Sequence, residues 1–345
     1  MPPFDADRYS RQVRYAPIGA AGQARLAAAR VAIVGCGALG GAAAVALVRA
    51  GVGHVRIIDR DVPERSNLPR QVLFDEGDVV AGVPKAAAAC RHLQRINSAA
   101  RIEPVVVDLG PGNAASLLDG VELIVDGTDN FEARFLVNEV ACRRGLPWIY
   151  GGAIGAEGRV MTVVPGRTAC LRCLIPDPPA PAALPTCDTA GIIGPAALVV
   201  AAVQAAEAMK LLVGAGDPPA SRLLACDLWE GQWRTIDLSA LARRGCPTCR
   251  GGDYPWLDGR SGTPVAALCG RDAVQVGAAV AGPIDLVALA ARLEPVGRVT
   301  ANRWLVRAGV EDGIDITVFA DGRVIVAGTR EESRARAIVA RYVGS

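Results

Sequence analysis

The stretch Arg30-Val31-Ala32-Ile33-Val34-Gly35-Cys36-Gly37-Ala38-Leu39-Gly40 decides the fold. A short apolar run enters a full G-x-G-x-x-G, and an alanine-rich helical segment follows to about Ala50. A second apolar run, residues 54–58, then ends on Asp59. Gly35, Gly37 and Gly40 permit a tight turn and close backbone approach. The helix that starts there offers free N–H groups and the positive end of its dipole to a phosphate. Asp59 is placed to accept hydrogen bonds from ribose hydroxyls. Taken alone, this is a nucleotide loop of the kind that ordinarily binds NAD; the plainer alternative is a glycine turn without a ligand.

Working outward, the same alternation continues. Residues 85–95 have helical spacing, 102–107 read as a strand, and 122–125 as another that closes on Asp126. Residues 131–144 are helical again, and 148–150 begin the next strand. Alternating strands and helices predict an α/β fold with a Rossmann-like, doubly wound, mixed but mostly parallel sheet. Its ligands belong at the C-terminal ends of the strands. Residues 165–195 are proline-rich and aperiodic, a crossover long enough to suggest a functional loop. The tail reads as β-α-β-β-α over residues 265–276, 285–293, 298–307, 314–326 and 330–343. The expected division is therefore a nucleotide-binding domain over residues 1–252 and a small α+β domain over 253–345.

Composition excludes several classes. A chain of 345 residues suggests about two domains. With 51% hydrophobic and 21% charged residues it is not a disordered chain. Lys+Arg 37 against Asp+Glu 35 gives a net charge of +2, so nothing favours nucleic acid. Two uncharged or apolar stretches, 31–48 and 192–213, are broken by glycines or carry Gln204, Glu207 and Lys210, and neither makes a good membrane span. The N-terminal residues show acids and no apolar leader, so a soluble, cytoplasmic protein is expected.

In that reducing compartment, Cys170-x-x-Cys173 and Cys246-x-x-Cys249 read as metal ligands before disulfides. Four thiolates from two knuckles match a closed, structural Zn²⁺ site. Cys36, Cys90, Cys142, Cys226 and Cys269 read as fillers, and His54 and His92 as structural.

Past Asp59, Ser66-Asn67-Leu68-Pro69-Arg70-Gln71 and Lys85 set two cations beside the nucleotide position. A triphosphate carries more charge than a dinucleotide and needs more neutralisation, which favours ATP over NAD. The plainer reading of Arg70 and Lys85 is a solvated helix end. Asp126-Gly127-Thr128-Asp129-Asn130 brings carboxylates to the same crevice, either to hold Mg²⁺ or to cap the next helix.

In chain order, Arg11-Gln12, the glycine loop, Asp59, Ser66 to Gln71, Lys85, Thr128-Asp129-Asn130, both C-x-x-C pairs and Cys187-x-x-Ala190-Gly191 resemble the MoeB/ThiF family. These HesA/MoeB/ThiF proteins are bacterial relatives of ubiquitin-activating enzymes, and the resemblance covers about residues 7–250. It implies adenylation of the C-terminal glycine of a small ubiquitin-like sulfur carrier, with MgATP consumed and pyrophosphate released. By that likeness Gly35, Gly37, Ala38, Gly40, Asp59, Asp61, Ser66, Asn67, Arg70, Lys85, Asp129 and Asn130 contact ATP. Arg11, Arg70, Lys85, Asp129 and Cys187 carry the chemistry. Arg11 would reach the triphosphate of a neighbouring subunit in a homodimer, and Cys187 would form a thioester or persulfide link to the carrier.

The implied partners are a carrier ending in Gly-Gly and a sulfurtransferase or cysteine desulfurase as sulfur source. Ala38 and Pro69 depart from the family pattern, and the tail after residue 252 lies outside its core. The rival readings are adenylation of a short peptide's C terminus, an NAD-dependent oxidoreductase, and a zinc-stabilised scaffold without catalysis.

Overall fold

β1 (Arg30–Val34) sends alternate side chains into two cores, Val31 and Ile33 to one and Ala32 and Val34 to the other. The period of two along a strand buried on both faces explains why its sequence is apolar throughout. The computed structural model describes residues 4–178, 190–214, 220–242, 245–261, 273–276 and 284–343. After β1 come β2 (His54–Ile58), β3 (Arg101–Val105), β4 (Leu123–Asp126), β5 (Trp148–Ile154), β6 (Glu157–Val163), β7 (Arg222–Asp227) and β8 (Gln232–Asp237). They form one sheet in the order β3-β2-β1-β4-β5-β6-β7-β8. Pairing is parallel from β3 through β5 and antiparallel from β5 to β8. The doubly wound sheet is therefore present and mixed. β1 lies between β2 and β4, so the strand order reverses there and opens a crevice at the C-terminal strand ends.

α1 (Gly19–Ala28), α2 (Ala38–Ala50), α3 (Lys85–Ile96) and α5 (Gly194–Val213) cover one face, around Leu26, Leu47, Leu93 and Val200. α4 (Phe131–Arg144) covers the other, around Phe135, Val137 and Trp148. α5 is long and apolar enough to cross a membrane by composition, yet half of that window is buried. Two of its polar positions turn inward, and Lys210 stays exposed. Gln204 Nε2 donates to the carbonyls of Asp126 (2.7 Å) and Ile149 (3.1 Å), and Glu207 accepts from Thr162 Oγ1 (3.1 Å).

The chain divides into two compact units, Met1–Gly262 and Thr263–Ser345. Residues beyond 252 remain part of the first: the Trp256 ring lies 5.7 Å from Phe135, and the Leu257 N–H donates to Glu139 Oε2 (2.8 Å). The second unit contains β9 (Ala273–Val276), α6 (Leu286–Leu293), β10 (Val299–Ala301), β11 (Leu305–Glu311), β12 (Ile314–Phe319), β13 (Val324–Ala327) and α7 (Glu332–Tyr342). Its antiparallel sheet runs β10-β11-β12-β13-β9. It is therefore richer in strands than the β-α-β-β-α reading. Asn302 Oδ1 takes the N–H groups of Trp304 (2.8 Å) and Leu305 (3.0 Å), which splits one expected strand into β10 and β11. Asp321 Oδ1 takes the Arg323 N–H (3.1 Å) and Gly322 adopts φ +88°, which folds another into the β12–β13 hairpin. The first part of the expected leading strand, residues 265–272, lies outside the described residues.

Candidate functional site

The glycine loop between β1 and α2 is closed by backbone contacts that no side chain could share. A Cβ on Gly40 would lie 1.8 Å from the Gly35 carbonyl, and one on Gly35, at φ +83°, 2.6 Å from the Gly127 carbonyl. The loop after β1 is thereby packed against the loop after β4. Gly37 is the N-cap of α2 and supplies no side-chain cap, so the first N–H groups of a 13-residue helix face the crevice. Ala38 opens the helix through its backbone, where a methyl group does not interfere.

Asp59 shapes the rim of that loop. Its Oδ2 accepts from the Cys36 N–H (2.6 Å) and its Oδ1 from the Asp61 N–H (2.7 Å). A carboxylate has about four lone-pair sites, so capacity remains for hydroxyl donors. Burial pushes the Asp59 carboxyl up, against the pull of the Lys85 ammonium. Burial also pushes the Cys36 thiol up, which makes it inert as a nucleophile.

Lys85, the first residue of α3, is only 4% exposed. Its N–H donates to the Asp61 carbonyl (2.7 Å) and its Nζ lies 3.3 Å from Asp61 Oδ2. Burial works against its charge, but Asp61, Asp59 and Asp129 outweigh it and hold the ammonium pKa above the usual lysine value. Arg60 joins the same cluster through Asp108 (2.5 Å) and Asp61 (3.7 Å). The result is a buried cation stabilised by three carboxylates beside a helix N terminus. The helix N–H groups and the ammonium favour an anion there, and the surrounding carboxylates favour a divalent cation.

The remaining expected residues fall in different places. Asn130 is the N-cap of α4, its Oδ1 taking the Ala133 N–H (2.8 Å), so the cap duty is not Asp129's. Asp129 is exposed at the crevice, and its charge reaches Lys85, Arg60 and Arg134. Asp126 is wholly buried and paired with Arg134 (3.3 Å), which also donates to the carbonyls of Thr128 (2.7 Å) and Gly151 (3.1 Å). That pair fixes the end of β4. Asn67 Oδ1 accepts from the Glu64 N–H (3.2 Å) within a short 3-10 turn, Arg65–Asn67. Ser66 is exposed and its carbonyl accepts from Arg70 Nη1 (2.6 Å).

Arg11 is not brought to this crevice. It is exposed on a one-turn helix, Ser10–Val13, docked through Tyr9 and Gln12. Gln12 Nε2 donates to the Ala50 carbonyl (2.8 Å), at the end of α2 opposite the glycine loop. Cys187 lies outside the described residues. One partner had no sequence signal: the buried Arg134 looks like any helix-surface arginine. Asp61, expected at the nucleotide, stands beside Lys85.

On the other face of the sheet, Cys170, Cys173, Cys246 and Cys249 converge, all four sulfurs within 4.8 Å of one another. Sulfur separations are 3.8 Å for Cys170–Cys173, 3.7 Å for Cys170–Cys246 and 3.6 Å for Cys173–Cys249. Asn138 of α4 orients the first knuckle: its Oδ1 accepts the Leu171 N–H (2.9 Å) and its Nδ2 reaches Cys170 Sγ (3.7 Å). The four thiols are close enough together that they could hold one metal ion.

Residues 9–248 match the ThiF family model, a span that holds the crevice and three of the four clustered cysteines and ends one residue before Cys249. The chain belongs to the ThiF family. This ThiF-family chain is 44% identical to the sulfur carrier protein ThiS adenylyltransferase of Bacillus subtilis, over 98% of this chain and 99% of that one. It is 41% identical to a sulfur carrier protein adenylyltransferase of Thermus thermophilus, over 73% and 92%. Among solved structures it is similar to E. coli MccB with ATP, at 25% identity and a TM-score of 0.59, covering 69% of this chain and 73% of that one.

Proposed function

We propose that this chain transfers AMP from MgATP to the C-terminal carboxylate of a ubiquitin-like sulfur-carrier protein ending in Gly-Gly. A carrier carboxylate oxygen bonds to the α-phosphorus, the bridge to the β-phosphate breaks, and pyrophosphate leaves. The observation that carries this reading is the buried Lys85, held charged by carboxylates, beside the uncapped N terminus of α2. An already ionised carboxylate needs no general base. What the reaction needs is positioning and stabilisation of charge on phosphate oxygens, which this cluster supplies. Gly35, Gly37, Ala38 and Gly40 would line the phosphates, Asp59 the ribose, and Ser66, Asn67 and Arg70 the triphosphate side. Asp129, exposed at the crevice, would hold Mg²⁺, which supplies further neutralisation when bound.

The carrier is preferred over a short peptide because the relative named for a carrier substrate aligns over nearly the whole chain at 44% identity. Arg11 supports a homodimer. The 13 residues of α2 separate its anchor from the glycine loop by about 20 Å, so an Arg11 that meets a nucleotide meets another copy's. The cysteine cluster suits Zn²⁺: a tetrahedral ion with Zn–S of ~2.3 Å needs sulfurs about 3.8 Å apart. Zinc there would be structural, tying the start of the crossover to residues 246–249. Cys187 would act after adenylation, with a sulfurtransferase or cysteine desulfurase supplying sulfur, in a cytoplasmic enzyme.

The test is ATP–pyrophosphate exchange with purified carrier. Exchange should require the intact Gly-Gly end; equal exchange with a carrier lacking it would overturn the assignment.

A further inference from the structure

Gln71 is an odd residue for its position. It is 5% exposed, and its backbone is fixed by bonds from its N–H to the Asn67 carbonyl (2.9 Å) and from Phe74 N–H to its own carbonyl (3.1 Å). Among the described residues the side chain, by contrast, makes no hydrogen bond, and Oε1 is buried without a partner. Native proteins avoid this, because a buried carboxamide gives up its water and receives nothing in return. The carboxamide stands against the glycine loop: a Cβ on Gly37 would lie 3.6 Å from Gln71 Nε2. Gly37 is the N-cap of α2, where the helix presents unsatisfied N–H groups. Backbone donors of the helix end and a side-chain amide N–H that has no acceptor among the described residues thus meet at one point.

We infer that the Gln71 carboxamide is a phosphate-binding group, its Nε2–H donating to a nonbridging oxygen of ATP held at the N terminus of α2. The amide nitrogen already faces the loop, and no bond among the described residues holds it away from an anion there. The amide N–H then finds its partner in the nucleotide complex. This inference rests on the ATP reading above and adds a contact to it.

The experiment uses the full chain and Gln71→Met, which keeps the volume and removes both polar atoms. Melting without nucleotide should be no lower than wild type, since the side chain has no bond to lose. Calorimetric Kd for MgATP should rise roughly tenfold or more, the size of a lost hydrogen bond to a charged group. Competition by adenosine, which has no phosphate, should be unchanged. Gln71→Glu, of the same shape but negative, should weaken MgATP further and leave adenosine alone. Unaltered MgATP affinity in Gln71→Met would overturn the inference. So would parallel losses for adenosine and MgATP, or a variant that melts early or fails to fold, since each assigns Gln71 a packing role. A wild-type chain that binds no MgATP at all would instead sink the underlying nucleotide reading.

Discussion

Asp61→Asn tests the electrostatics of the crevice most directly. The substitution keeps the shape of the side chain and removes the charge 3.3 Å from Lys85 Nζ. At an effective dielectric of ~20, two unit charges at 3.3 Å attract by about 5 kcal/mol. Three things reduce that figure. The Asp61 side chain is 30% exposed, Arg60 shares it, and Asp59 and Asp129 go on attracting the ammonium. A net loss of roughly 2–3 kcal/mol follows, below the full cost of stranding a buried charge. For a unit of this size that lowers the melting temperature by about 5–10 °C.

The pH dependence has a definite sign. Lys85 has a folded pKa above its ordinary value. Its contribution to stability is therefore complete below the unfolded pKa and disappears as pH rises through the folded one. Without Asp61, burial, the largest single influence, pushes the ammonium to give up its proton at lower pH. Carrier-dependent exchange, followed from about pH 7 to about pH 10, should lose its alkaline limb earlier in the variant than in wild type. If the two profiles coincide and the two proteins melt together, Asp61 does not hold Lys85 and the account of the cluster is wrong.

Three further outcomes are expected. Metal analysis should find one zinc per chain, and Cys173→Ser should give unstable or insoluble protein, because structural zinc contributes on the order of 10 kcal/mol to folding. Cys187→Ala should retain carrier-dependent exchange and lose the later sulfur transfer; a collapse of exchange with ATP affinity intact would assign the thiol elsewhere. Mixing inactive Arg11→Ala with inactive Lys85→Ala should restore roughly a quarter of wild-type activity, since about half the dimers are mixed and each then holds one sound site. With exchange of subunits verified, no recovery means Arg11 serves its own chain.

What could be read from the sequence was what local chemistry dictates. The strand–glycine–helix unit is legible because Gly35 and Gly40 have no alternatives: other backbone occupies the space of a side chain. The cysteine cluster is legible because paired C-x-x-C spacing has few other uses. What escaped was set by burial and distant partners. Glu139 looks like a solvated helix residue, yet it is buried, pushed up to about 7 by that burial, and holds the Leu257 N–H. Asp129 and Asn130 compete for the cap of α4, and the turn geometry that decides for Asn130 is not written in their order. β8 was invisible because all six of its residues are exposed, which leaves no alternation to detect.

The crossover offers a last test, because its far end is pinned to the nucleotide crevice. Gly155 N–H donates to the Gly191 carbonyl (2.9 Å), and Ile193 N–H to the Gly155 carbonyl (2.9 Å), so the chain lands beside the turn between β5 and β6. α5 then starts at Gly194, with Pro195 fixing its first turn. A Cβ on Gly194 would lie 2.9 Å from the Pro69 carbonyl, too close for either backbone to stay in place. Pro69 precedes Arg70 and Gln71, so the loop that presents those side chains rests directly on the start of α5. Gly194→Ala should therefore push the loop by tenths of an ångström while leaving the distant core intact. Because misplacing a catalytic group by ~1 Å can cost about 100-fold, a shift of this size should lower exchange by roughly several-fold, chiefly through a higher KM for ATP. Melting should change little, since alanine is the better helix former and the strain is local. Exchange kinetics indistinguishable from wild type would mean that the loop and the helix move independently, and that the crossover does not feel the nucleotide.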